Sequence, residues 1–295
     1  MKSCGREMVP SNSKSALERL LAQHFPAVDT AGFHFDAVNG SGSGCWRVRV
    51  GHRELLARPQ TAEAAQLGVF RQREYRVLRQ LSARQLAPKP VIYRDGWLIV
   101  EWAAGTTACA QDFSCILENG ALAQLLSQLH RQPCCGYRLN LPVQFTHHWQ
   151  NMDPRRRSPA LLRWHQHFQR SAQPDLLAWA PLHLDVHSEN VLITPQGSLL
   201  LIDWEYAADG DIGLELALLV RGNGLDGASQ RRLLRSYQQQ RPGFSAQALN
   251  ASVQQWLPWA DFLILMWCEV CWHQTGQTAF LAAGSASRRA LGVNA

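Results

Sequence analysis

The sequence predicts an α+β protein in which a small, antiparallel β-rich lobe precedes a larger, mainly helical one. Three observations carry this reading. Short segments of alternating hydrophobicity fill residues 33–102, interrupted by one helical stretch. From residue 103 onward the apolar residues recur mainly at helical spacing. Inside that second half, the apolar segments 191–193 and 199–202 turn at Pro195-Gln196-Gly197 and read as one short β insert. Two such lobes on a short linker enclose a cleft.

In chain order, residues 1–13 read as a disordered leader. A helix follows, capped by Ser13 or Ser15, with Leu17, Leu20 and Leu21 on one face. Phe33–Val38, Cys45–Val50 and Arg53–Arg58 read as three strands. The run Asn39-Gly40-Ser41-Gly42-Ser43-Gly44 joins the first two, and Gly51-His52 the last two. Residues 62–82 read as a single helix carrying Leu67, Phe70, Val77, Leu78 and Leu81. Val91–Tyr93 and Trp97–Trp102 return to strand, with Asp95-Gly96 as the hairpin turn. This divides the chain into an N-terminal lobe, 14–102, and a helical C-terminal lobe, 103–295.

Composition narrows the function classes. With 46% hydrophobic and 18% charged residues among 295, the chain is globular. Lysine occurs only at Lys2, Lys14 and Lys89, so 26 of 29 basic residues are arginine, a side chain suited to phosphate. There is no basic stripe or nucleic-acid motif, and no nucleic-acid partner is expected. The most apolar run, Trp256–Trp272, is broken by Pro258, Asp261 and Glu269 and reads as a buried helix, so no membrane span is expected. The eight cysteines follow no framework and no secretory signal precedes them, which predicts reduced thiols and a cytoplasmic protein. Cys268 and Cys271 sit in the apolar helical stretch and read as core, not as a zinc site. Eleven tryptophans suit a cation-binding pocket as well as a core.

The strongest signal is His183-Leu184-Asp185-Val186-His187-Ser188-Glu189-Asn190, followed after the hairpin by Ile202-Asp203-Trp204-Glu205. Phosphoryl transfer from ATP needs a carboxylate to orient a hydroxyl and hard oxygen ligands to hold magnesium against the phosphates. Asp185 supplies the first; Asn190 and Asp203, brought together by the hairpin, supply the second. His183 and His187 are assigned to holding the loop. Gly40, Gly42 and Gly44 can let backbone amides approach phosphate. No lysine is available at the third strand, so Arg58 is the candidate phosphate cation. Glu74 on the next helix either pairs with it or makes a solvated surface pair. Asp211 reads as a helix cap that braces the catalytic loop.

These residues resemble the catalytic core of the aminoglycoside phosphotransferase and choline kinase superfamily. The resemblance implies a protein-kinase-like fold, ATP as co-substrate with Mg2+, Asp185 as catalytic base and Asn190 and Asp203 as metal ligands. It also implies a hinge against adenine at Glu101–Gly105. Within the superfamily the likeness is to the bacterial thiamine kinases. It rests on Ala87–Pro90 leading to Gly96-Trp97, on Leu182–His187, on Leu201–Asp211 and on Trp256–Trp259 through Trp272–Gly276. That implies ATP and thiamine as small-molecule partners, with no obligate protein partner evident.

A cationic alcohol calls for aromatic faces and carboxylates. Trp204, Glu205, Asp261, Trp267 and Glu269 are the candidates, with structural acids in a buried helix as the alternative for the late ones. Choline, an aminoglycoside or another small cationic alcohol is the alternative substrate, though no dense acidic run suits a polyammonium. A catalytically inactive kinase-like binding module is the alternative of another class, opposed by the intact Asp185, Asn190 and Asp203.

Overall fold

A computed structural model describes residues 13–26, 32–38 and 44–293. Helix α1 (Lys14–His24) starts at Ser13, whose hydroxyl accepts from the Ala16 amide. Strands β1 (His34–Ala37), β2 (Trp46–Val50) and β3 (Arg53–Pro59) follow, then α2 (Ala62–Gln66), α3 (Arg71–Leu81), β4 (Pro90–Arg94) and β5 (Trp97–Glu101). They form one antiparallel sheet in the order β1-β2-β3-β5-β4. Strand alternation divides its faces. Leu55 and Ala57 point with Val48, Val50, Trp97 and Ile99 to a core closed by Leu17, Leu20 and Leu21 of α1. Leu98 and Val100 turn the other way, against Val77, Leu78 and Leu81 of α3. Arg58 and Leu56 share this second face, which borders the cleft.

The single helix expected over 62–82 is two. Gly68 takes φ +81 and Phe70 is extended at φ −130, so the chain breaks after α2 and restarts at Arg71. Phe70, expected on the apolar face, is exposed. The break rotates Glu74 onto the buried face of α3 beside Val77 and Leu78.

After residues 102–105 come β6 (Thr106–Thr107), α4 (Ala110–Glu118), α5 (Ala121–Leu129), α6 (Leu141–Asn151), α7 (Pro159–Arg170) and β7 (Trp179–Leu182). The expected insert is β8 (Val191–Ile193) and β9 (Leu199–Leu201). Next are β10 (Ala208–Asp211), α8 (Ile212–Gly222), α9 (Gly227–Gln240), α10 (Ala246–Thr275), α11 (Thr278–Ala283) and α12 (Ser285–Ala290). Strands β6, β7 and β10 were not expected; each is short, and β6 and β7 carry too few residues to show a period. Helix α8 is buried from Ile212 to Val220 and forms the axis of this lobe, with α10 packed along it. Gly213 permits that approach: a Cβ there would stand 2.8 Å from Trp256 Cδ1 and 2.1 Å from Ser252 Oγ. Among the described residues no helix is long and apolar enough to cross a membrane.

Candidate active site

Strand β7 ends at Leu182 and delivers the loop 183–190; β9 ends at Leu201 and delivers Asp203. The two segments are tied by the Ile202 amide donating to Asn190 O at 3.0 Å. His183 is fully buried, its Nε2 2.9 Å from Ile202 O and its ring edge-on to Trp204. These contacts tie the loop to the segment after β9. Leu184 adopts φ +68, a left-handed conformation costly for a branched side chain, and the turn it makes projects Asp185 into the cleft. Glu215, in the first turn of α8, compensates: its carboxylate accepts the His183 amide at 2.6 Å and the Leu184 amide at 2.9 Å. Burial alone would raise the Glu215 pKa, but His130, His183 and the backbone amide more than offset it and hold the carboxylate below its ordinary value.

Sequence reasoning gave the loop-bracing role to Asp211. Asp211 does cap α8, accepting from the Gly213 amide at 2.9 Å, but its other oxygen binds the Leu177 amide and Trp256 Nε1. Glu215 braces the loop in its place. The signal was present, since one acid in the apolar run Ile212–Val220 must be neutralised internally.

Asp185 remains partly exposed, and Asn190 Nδ2 donates to both its backbone and its carboxylate oxygen at 2.9 Å. His187 lies 3.5 Å from the same carboxylate, and that contact, opposed by burial, raises its pKa. His187 thus touches the Asp185 carboxylate, a contact beyond the loop-holding role expected of it.

Arg58 ends in a fork of acids. Its Nη1 meets Glu74 at 2.6 Å, and its Nη2 meets Asp203 and Glu205, each at 2.6 Å. Arg71 joins Glu74 at 2.7 Å and Glu205 at 2.9 Å. Of the two roles open to Glu74, the buried pair with Arg58 is the one adopted. Burial penalises Asp203 as an anion, but Arg58 and Arg71 outweigh it and its pKa falls. Glu205 goes the other way, pushed up to about 6 by burial and by Asp203 despite the two arginines.

Two arginines against three carboxylates leave a net negative charge, which suits a divalent cation arriving with a nucleotide. The donor set agrees. Asn190 uses its amide nitrogen within the loop and Asp203 uses Oδ1 on Arg58, so one oxygen of each is uncommitted among the described residues. Magnesium needs little more from protein when phosphates and water complete its shell.

The nucleotide side is partly described. Gly40 and Gly42 lie outside the described residues; Gly44 enters β2 at φ +83. The Glu101 side chain pairs with Arg53 at 2.9 Å and Lys89 at 3.6 Å on the surface, and its amide donates to Lys89 O at 2.8 Å.

Four of five substrate candidates are elsewhere. Trp204 is core, donating to Leu201 O. Glu205 belongs to the Arg58 cluster. Asp261 is neutralised by Arg221 at 2.9 Å, and Glu269 is chelated by Arg156 and Arg288. Only Trp267 lines the cavity of ≈520 Å3 that opens on Asp185. Its Nε1 donates to the Tyr206 hydroxyl at 2.8 Å, and Tyr206 lines the cavity too. Cys268 and Cys271 are buried core residues, as expected, with burial pushing the Cys268 thiol up to about 12.

The chain belongs to the phosphotransferase enzyme family, whose model matches residues 38–249. It is 36% identical over 282 residues, 96% of each chain, to the thiamine kinase of Salmonella typhimurium. Its fold is that of the choline kinase LicA from Streptococcus pneumoniae (TM-score 0.72, 15% identity, 94% and 99% of the two chains). The Plasmodium vivax ethanolamine kinase shares it as well (TM-score 0.70, 14% identity, 97% and 91%). The protein-kinase-like α+β expectation is therefore met, and the chain is a small-molecule phosphotransferase that uses ATP.

Proposed function

We propose that this enzyme is a thiamine kinase, transferring the γ-phosphoryl group of ATP to the primary hydroxyl of thiamine to give thiamine monophosphate. One observation carries the reading: Asp185, held by Asn190, opens onto a ligand-sized cavity bounded by Tyr206 and Trp267. The near full-length likeness to thiamine kinases supports this choice of alcohol. Two arginines, Arg73 and Arg221, share the lining with only Asp185 and Glu189 as acids, a balance that disfavours a polyammonium aminoglycoside.

In this reading Asp185 accepts a hydrogen bond from the hydroxyl and takes its proton. The new oxygen–phosphorus bond forms as the bond to the leaving ADP oxygen breaks in line with it. Asn190 and His187 hold the carboxylate in place, and Arg58 presents permanent positive charge on the phosphate side. Asn190 and Asp203 would hold Mg2+, which when bound neutralises charge on the β- and γ-phosphate oxygens. The same reading places the enzyme in a reducing cytoplasm, supported by seven described cysteines that are all free.

The test is ADP release by purified protein with ATP and Mg2+, comparing thiamine, choline and kanamycin, with Asp185→Asn as control. Thiamine-dependent turnover that the variant loses is the expected result. Turnover with choline or kanamycin alone would retain the chemistry and discard the alcohol; ATP binding without any turnover would favour a binding module.

A further inference from the structure

One wall of the cavity presents a hydrogen-bond acceptor that the protein itself leaves unused. Gln144 of α6 spends both amide hydrogens internally, with Nε2 3.2 Å from Leu67 O and 2.7 Å from His148 Nε2. A backbone carbonyl only accepts, so Leu67 fixes the amide with its nitrogen on that side. His148 is 1% exposed, and burial pushes its pKa down to about 4, so the ring is neutral. With the amide nitrogen fixed by Leu67, Nε2 at 2.7 Å takes the second amide hydrogen and the ring proton sits on Nδ1, which is buried without a partner among the described residues.

Gln144 Oε1 is then left without a partner among the described residues, and it is not sealed in the interior. It borders Gly68, where an added Cβ would stand 2.9 Å from Oε1 and 2.7 Å from Nε2. Glycine at φ +81 therefore keeps this wall open as well as making the turn. Gly68, Gln144, His148 and Asp185 line the same cavity. Arg73 is on this wall too, donating to Gly68 O and Glu205 O at 3.0 Å each. Its charge repels an ammonium and favours a neutral N–H donor.

We propose that Gln144 Oε1 is a specificity-determining contact that receives a neutral amine of the substrate alcohol, with Leu67 and His148 positioning the amide. The inference rests on the thiamine reading, in which the donor is the exocyclic amine of the pyrimidine ring; choline carries no such group. The probe is a thiazolium alcohol with a benzyl group replacing the aminopyrimidine, which keeps the cation and the hydroxyl and loses the amine.

Steady-state kinetics with thiamine and this analogue would be compared for wild type, Gln144→Leu and the longer Gln144→Met, each checked by thermal melting. In either folded variant kcat/KM for thiamine should fall about tenfold, mainly through KM, since one directed hydrogen bond is lost. The analogue should change by less than about threefold, because it never made that bond. Equal losses for both alcohols, or no loss for thiamine, would overturn the inference while leaving thiamine as the substrate. A wild-type enzyme that phosphorylates choline and neither thiazolium alcohol would overturn the thiamine reading and this inference together.

Discussion

Which atoms remain uncommitted decides the chemistry of the loop 183–190. Asp185 keeps a partly exposed carboxylate, whereas His183 uses both ring nitrogens on the backbone. Asp185→Asn should lower kcat by roughly a thousandfold with ATP affinity retained, as expected for loss of a general base. Glu215→Gln offers one acceptor oxygen for two amides and sets its own N–H against the other. Its kcat should fall about tenfold, and Leu184→Gly in that background should restore part of it, because glycine adopts the left-handed turn without strain. The hairpin that brings Asp203 back beside Asn190 was legible, because the two apolar strands and the Pro195–Gly197 turn between them are marked in the sequence. Trp204 and Glu205 were misread because Asp203 takes φ +62 and reverses the chain. The next two side chains leave for the core and for Arg58, and adjacency in sequence stops meaning adjacency in the site. His148 gives a pH prediction. Its folded pKa, about 4, lies below its ordinary 6.5, so the neutral ring stabilises the fold above pH 6.5. That stability is lost as the pH falls through about 4 and amounts to up to about 3 kcal/mol. Urea melts of wild type and His148→Asn across this range should converge as the pH falls.

Elements place these atoms by parity and close approach. Alternation along β3 sends Arg58 to the cleft face while Leu55 and Ala57 fill the core under α1. This was legible from the pattern. The break between α2 and α3 was not, since apolar spacing across 62–82 is nearly continuous and only Gly68 marks the turn. Helices α8 and α10 depend on the missing side chain at Gly213. Gly213→Ala should cost about 1–3 kcal/mol in denaturant unfolding, because the indole of Trp256 has little room to yield. The cavity itself was illegible, because it draws on α6, the 67–68 turn, the catalytic loop and α10, which are remote in sequence.

At the scale of the molecule, Arg58 and Arg71 on the N-terminal side meet Asp203 and Glu205 on the other, so the two lobes share one buried ionic cluster. The planar fork of Arg58 serves three carboxylates at once, a geometry an ammonium cannot copy. Arg58→Lys should therefore weaken ATP binding and lower kcat/KM by about tenfold, measured by titration and by ADP release, although the charge is kept. Burial opposes the charge on Arg58, but Asp203, Glu74 and Glu205 raise its pKa well above the ordinary arginine value. This position consequently never offers a neutral, nucleophilic nitrogen. Reactive acyl-phosphate nucleotides, which label kinases by acylating the lysine that grips the phosphates, would find nothing to acylate here. Such labels would report nothing from this position even while the enzyme turned over ATP.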